Sequence, residues 1–261
     1  MVNAKNLKAY QSHGIVQYYA QLQQLQPAEA TILAHLKDSL PRMTMLDMGV
    51  GGGRTTQHFA KVVADYTGID YSADMVSACQ QRFAGSLQPD SFAVCDARDM
   101  SRFPDNTFDF ILFSFNGLDY IEHGDRIQAL QEIQRVGKPG GYFCFSTHNL
   151  QGMEQTFNWR THLSFNPINT YTNLVMWALL RVFNRSLTLP LLKTSAHAMI
   201  RDEPHNFQLR TYHIRPQDQL DQLLAGFTDI KTYSWQSGLE ISNSELDSTL
   251  EMWLYYLCRI R

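Results

Sequence analysis

Five short apolar runs, TMLDMG, YTGID, FAVCD, FDFILFS and YFCFST, alternate with amphipathic stretches between residues 44 and 147. Runs of this length without strict polar alternation suit strands covered by helices on both faces. After the first run, TTQHFAKVVADY places Phe59, Val62, Val63 and Tyr66 on one helical stripe. After the second, SADMVSACQQRF opens on Ser72, an N-cap residue type, and aligns Met75, Val76, Cys79 and Phe83. GDRIQALQEIQRV repeats the period with Ile127, Leu130 and Ile133 until GKPGG at 137–141 stops it. Strand, helix, strand, helix in this order predicts an α/β fold with a mainly parallel, doubly wound sheet. The pattern lapses after FSTHN and returns at RPQDQLDQLLAGFTDIKTYSW. There Pro216 marks a helix start, Leu220, Leu223 and Leu224 its inner face, and Gly226 its end. EMWLYYLCRIR reads as a last strand, so the chain is expected to close on an antiparallel pair.

The first turn of this pattern, LDMGVGGGRTT, sets four glycines in five positions behind Asp47. A glycine-rich turn between strand and helix lets backbone approach a ligand that a side chain would obstruct. A nucleotide phosphate, a dinucleotide and a small cationic cofactor all meet that description. Glycines 49, 51 and 53 miss the dinucleotide fingerprint because Arg54 stands in the third glycine's place. Arg54-Thr55 likewise fails the phosphate-loop signature. Asp70 ends the second run, where a carboxylate can accept both hydroxyls of a ribose, and Asp96 ends the third, where one can accept an exocyclic adenine amine. Either alone is better explained as an N-cap. Together they mark the carboxyl ends of adjacent strands, where open α/β sheets bind ligands.

With these elements in order, the chain resembles the class I S-adenosylmethionine-dependent methyltransferases of the small-molecule type. The matching residues are LDMGVGGGRTT, GIDYSADMV, CDARDMSRFPDNTFDFILFS and VGKPGGYFCFSTHN, with further likeness from about Arg210 to the C-terminus. The resemblance implies a seven-stranded mixed sheet, a Rossmann-like methyltransferase fold whose last strand is antiparallel. It implies that Asp47, Gly49, Gly51 and Gly53 shape the pocket for the methionine end of S-adenosyl-L-methionine. Asp70 would hold the ribose hydroxyls, with Tyr71 and Met75 against the adenine. Asp96 would hold the adenine amine beside the Ala97 amide, and Ser114, Phe115 and Asn116 would flank the sulfonium.

Because a sulfonium already makes its methyl group electrophilic, alignment of the acceptor supplies much of the rate. A hydroxyl or phenol acceptor also gains from a general base, for which histidine is best suited near neutral pH. Three candidates stand near the expected reaction centre: His123 after the fourth run, His148 after the fifth, and Tyr19 in the N-terminal stretch VQYYAQL. For each, a surface or packing role is the competing explanation. FSFNG after the fourth run lacks the motif with which base-amino methyltransferases of this fold hold a flipped nucleobase, which argues against DNA base methylation. Only Asp119 and Glu122 lie at the same rim, so no catalytic metal is expected.

Residues 150–207 interrupt the core that 1–149 and 208–261 are expected to form. From Gln155 to Arg201 there is no Asp or Glu, yet Arg160, Arg181, Arg185, Lys193 and Arg201 are present, with Trp159 and Trp177. Such an insert fits a helical cap enclosing an acceptor, an amphipathic patch on a membrane surface, or a helical hairpin packed on the sheet. The apolar stretch 171–192 is broken by Asn173, Arg181, Asn184, Arg185 and Pro190, too often for a spanning helix. A net charge of -3 gives no basic field for nucleic acid. Four scattered cysteines without a Cys-x-x-Cys pair, and an N-terminus without a continuous apolar core, fit a reducing cytoplasm. A small-molecule substrate is the expected partner, and a homodimer is one assembly open to the chain. The reading from another class is a non-catalytic scaffold that keeps the fold to bind a partner protein; a sealed cavity near Phe115 would favour it.

Overall fold

The computed structural model describes residues 23–203 and 206–261. β1 (Thr44–Met48), β2 (Asp65–Asp70), β3 (Phe92–Val94), β4 (Phe108–Phe113) and β5 (Gly137–Asn149) pair in parallel, in spatial order 3-2-1-4-5. β6 (His197–Ile200) and β7 (Thr211–Ile214) form an antiparallel pair, and β7 continues parallel to β5 at His148 and Asn149. β8 (Phe227–Ser234) carries the two-residue β9 (Glu240–Ile241), and β10 (Trp253–Ile260) inserts antiparallel between β5 and β8. The expected seven-stranded core with its antiparallel last strand is therefore present. Three short strands, β6, β7 and β9, bring the described sheet to ten.

Helices cover both faces, and the period of two along each strand sorts side chains between them. Phe110, Leu112, Tyr255 and Leu257 pack with α1 (Pro27–Leu36), α2 (Thr56–Phe59) and α3 (Ala73–Arg82). Ile111, Phe113, Leu254 and Tyr256 face the other way, where Leu130 and Ile133 of α4 (His123–Val136) join the core. Each such buried Leu or Phe contributes about 1.5–3 kcal/mol. Ser72 caps α3 as expected, accepting from the Met75 amide. The four cysteines are buried free thiols.

Tyr66 departs from its expected place on a helical stripe. α2 is a single turn, because the chain must come back within five residues for Ala64 and Asp65 to donate to the Met43 carbonyl and start β2. Tyr66 thus lies in β2. The insert folds as α5 (Leu150–Phe157), a 3-10 turn (Trp159–His162), α6 (Pro167–Phe183), α7 (Leu189–Thr194) and then β6. It has its own small core, centred on Leu150, Met153, Phe157, Leu180, Leu192 and Ile200. α8 (Pro216–Leu223) starts at Pro216 as expected and buries Leu220 and Leu223; Leu224 follows its end and is exposed. α9 (Asn243–Leu246) separates the two closing strands.

Candidate active site

A cavity opens at the carboxyl edge of β1, β2 and β4, beside the residues that follow β3. Asp47, Gly49, Gly51, Asp70 and Asp96 all line it, as do Tyr71, Met75 and Ala97. Ser114 and Phe115 form the wall after β4, joined by Tyr120 and Ile121. Of the expected cofactor residues, only Gly53 and Asn116 stand outside the lining. No described residue of 150–207 takes part in it.

Gly53 has a packing reason. Its φ is +79°, and an added Cβ would fall 2.4 Å from the Phe83 ring, so only glycine lets α3 close on the loop. Gly49, at φ +65°, does face the cavity; a Cβ there would meet Phe113 at 3.0 Å.

The carboxylates differ in their surroundings. Asp70 accepts from the Gly51 amide at 3.0 Å and the Ser72 amide at 2.9 Å, tying the loop to the end of β2. A carboxylate offers about four acceptor positions, so lone pairs remain for a ligand. Burial raises Asp70 from 3.8 to about 6 despite those amides. Asp47 is likewise raised to about 6 by burial, against hydrogen bonds from Thr55 Oγ1 at 2.6 Å and Tyr66 Oη at 2.7 Å. Asp96 is only half-buried. Desolvation there is outweighed by Arg98, whose guanidinium reaches Oδ2 at 2.6 Å and Oδ1 at 3.0 Å, and the carboxyl is lowered. An adenine amine at Asp96 would share that carboxylate with Arg98.

Arg54 is more than a break in a motif. Both its terminal nitrogens donate to Glu29 of α1, one of them at 2.7 Å to Oε1, and Glu29 also accepts from Ser114 and from Tyr255 Oη at 3.1 Å. Burial would lower the Arg54 pKa, but its bonds to Glu29 and the Glu29 charge raise it. The guanidinium lies over the Phe115 ring, 5.1 Å from its centroid. In the sequence, Pro27 at the helix start and Glu29 three residues after Gln26 are the signals for this helix, and the Gln26 amide does donate to Glu29 Oε2 at 2.7 Å; neither signal names Arg54 as the partner.

After β4, Phe115 and Asn116 both have positive φ, 56° and 60°. Two successive non-glycine residues in this region mark stored backbone strain. The Asn116 amide donates to Ser146 Oγ at 2.7 Å, and its Nδ2 lies 3.3 Å from His148 Nε2. His148, within β5 rather than after it, is 2.7 Å from Asp119 Oδ2 through Nδ1. Asp119 is buried; its bond from His148 and the Arg126 charge overcome desolvation and hold it below the ordinary carboxylate range. His123 begins α4 instead. Its Nδ1 is 2.7 Å from Tyr212 Oη, its ring stacks on His197 at 4.2 Å, and neither it nor His148 lines the cavity. Tyr19 lies outside the described residues. Among the described residues no cluster of three metal-ligating side chains occurs.

Residues 45–141 match the family model described as a methyltransferase domain. By this match and by its fold the chain is similar to the class I S-adenosylmethionine-dependent methyltransferases. Demethylmenaquinone methyltransferase of Renibacterium salmoninarum is 29% identical over 205 residues, 77% of this chain and 73% of that protein. YqeM of Bacillus subtilis, provisionally named a methyltransferase, is 32% identical over 47% of this chain, which spans about half of that relative's length, 49%. Among solved structures, a Burkholderia thailandensis 1,6-didemethyltoxoflavin N1-methyltransferase superimposes with a TM-score of 0.57 at 16% identity, covering 98% of this chain and 87% of that one. That likeness speaks for the shared fold. Among the described residues no helix is long and apolar enough to cross a membrane.

Proposed function

We propose that this chain moves a methyl group from S-adenosyl-L-methionine to an oxygen, nitrogen or carbon atom of a small-molecule acceptor. The observation that carries this reading is the convergence of Asp47, Asp70 and Asp96 on one cavity beneath a glycine turn. Those donors and acceptors fit the cofactor: Gly49 lines the cavity where a Cβ would press on Phe113, and Asp70 retains acceptor capacity beyond its bonds from the Gly51, Ser72 and Tyr71 amides. Asp47 and the loop would hold the amino-acid end, Asp70 the ribose hydroxyls, Tyr71 and Met75 the adenine faces. When bound, the cofactor supplies an electrophilic methyl group.

The chain's own residues then have two tasks. Phe115, Tyr120 and Ile121 exclude water from the cavity mouth and orient an acceptor by apolar contact. His148, just behind the lining, would take the acceptor's proton at Nε2 in place of its contact with Asn116 Nδ2, Asp119 holding Nδ1 as the donor. The open cavity at Phe115 favours an enzyme over a scaffold. The name of the Renibacterium relative suggests an acceptor with a large apolar ring system, which suits those walls. A cytoplasmic location and no nucleic-acid partner complete the proposal.

Isothermal titration with S-adenosylmethionine and S-adenosylhomocysteine, with Asp70→Ala as control, tests the reading. Binding that the substitution removes supports it; absence of binding by the wild type at millimolar ligand sinks it.

A further inference from the structure

α6 is apolar on two sides, and only one of them is covered. Leu180 faces the insert's core, with Met176 partly buried against it. On the outer side Ile168, Tyr171, Val175, Leu179 and Val182 recur at three- and four-residue steps, forming one stripe, and all five are exposed. The loop before the helix adds Leu163 and Phe165, the latter fully exposed. It is pinned in place: the Ser164 amide donates to Thr170 Oγ1 at 2.8 Å, and Thr170 Oγ1 donates back to the Ser164 carbonyl at 2.9 Å. A contiguous apolar face of this kind on a folded chain marks an interaction surface.

Charge decides the occupant. Arg160, Arg185 and Lys193 are exposed, and among the described residues none of them forms an ion pair. With no carboxylate from 155 to 201, a second copy docked face to face would bring cations against cations with nothing to neutralise them. An anionic surface with an apolar interior satisfies both features at once. A 17-residue helix broken from its neighbours at Asn166 and Asn184 is suited to lie in the interface plane, and it does not qualify as a span.

We infer that the α6 face docks this chain on anionic phospholipid bilayers, with the stripe Ile168–Val182 entering the acyl boundary and Arg160, Arg185 and Lys193 meeting phosphate headgroups. The inference is independent of methyl transfer, because vesicle capture needs no turnover.

The test is co-sedimentation of the full chain with phosphatidylcholine vesicles made with and without phosphatidylglycerol, at low and high salt. The wild type is expected to pellet with the anionic vesicles and to be released by salt. Arg160→Glu/Arg185→Glu/Lys193→Glu should weaken partitioning at least 100-fold, at roughly fivefold per lost cation before the added repulsion. Ile168→Ser/Val175→Ser/Val182→Ser changes exposed side chains only and should abolish pelleting while leaving S-adenosylhomocysteine binding intact. Wild-type protein that stays in the supernatant at both compositions overturns the inference. So does a lipid-free dimer, seen by analytical ultracentrifugation, that the serine variant converts to monomer, since a second copy then covers the face.

Discussion

His148 Nδ1 donates to Asp119 Oδ2 at 2.7 Å, while the other oxygen of that carboxylate accepts from Arg126 Nη1 at 2.7 Å and Thr147 Oγ1 at 2.6 Å. One buried carboxylate thus fixes both the orientation and the tautomer of the histidine. Arg126 is held in turn by the Gln219 Oε1 acceptor at 2.7 Å and lies over the Tyr212 ring. The lone pair of the histidine is thereby at Nε2, where it accepts from Asn116 Nδ2 at 3.3 Å beside the strained turn after β4.

The two members of this pair are expected to fail differently. His148→Ala should lower kcat about 10²–10⁴-fold for a hydroxyl or phenol acceptor, with S-adenosylhomocysteine affinity within about twofold of the wild type. Asp119→Ala should lose the same activity and also about 3–5 kcal/mol of stability, because Arg126 is left buried without its counter-charge. Kinetics beside urea unfolding separates them. Equal kcat for His148→Ala and wild type would remove the base from the mechanism.

Asp70 and Asp47 make cofactor binding pH-dependent. Both carboxyls are raised by burial to about 6, so the stability that their protonated forms contribute is complete below 3.8, declines as pH rises through about 6, and is absent above it. For Asp70 that is about 3 kcal/mol of strain in the unliganded chain at pH 7. Ribose hydroxyls are accepted best by the ionised form, so affinity should fall as pH drops below about 6, approaching tenfold per pH unit. Asp70→Asn should stabilise the unliganded protein near neutral pH, bind more weakly, and lose the part of the slope that Asp70 contributes, Asp47 keeping its own. Titrations across this range with melting curves for both proteins check it; an unchanged slope in the variant would exclude Asp70 as the source.

The Glu29–Arg54 pair locks α1 over the glycine turn. Both side chains are almost wholly buried, so Glu29→Ala strands a guanidinium and should cost about 3–5 kcal/mol. Glu29→Leu/Arg54→Met removes both charges and should be milder than either single change. Thermal unfolding of the three variants gives the coupling; additive losses would show that the pair does not act as a unit.

This network also marks where sequence reading ran out. β1 to β5, α3 and α4 were legible because apolar period and capping are local, as at Ser72 with Met75. Glu29 lies 85 residues from Ser114 and 226 from Tyr255, and His148 lies 29 from Asp119. No periodicity encodes pairings of that range. Asp119 was noticed as a rim carboxylate, yet its task depends on β5 bringing His148 alongside. The carboxylates Asp70 and Asp96 were readable because strand ends in a doubly wound sheet converge by topology alone. Tyr66 was misplaced because the tight return into β2 overrode a local helical stripe.

Gly53 and Gly85 offer a paired test of the loop. At Gly53 an alanine meets three objections: a φ of +79°, the Phe83 ring 2.4 Å away, and Cys79 Sγ at 3.3 Å. The left-handed backbone costs about 1–2 kcal/mol and the overpacking about 1–3 more. At Gly85 nothing lies within 4 Å of the added carbon, so Gly85→Ala should stay within about 0.5 kcal/mol of wild type. If the clash is the larger part, Phe83→Leu in the Gly53→Ala background should recover stability that Phe83→Leu alone would lose, a non-additive outcome visible in urea midpoints. Simple additivity would assign the whole cost to the backbone. Because Gly53 stands behind the cavity wall, the substitution should weaken cofactor binding only as far as the turn shifts, leaving the acceptor KM unaffected.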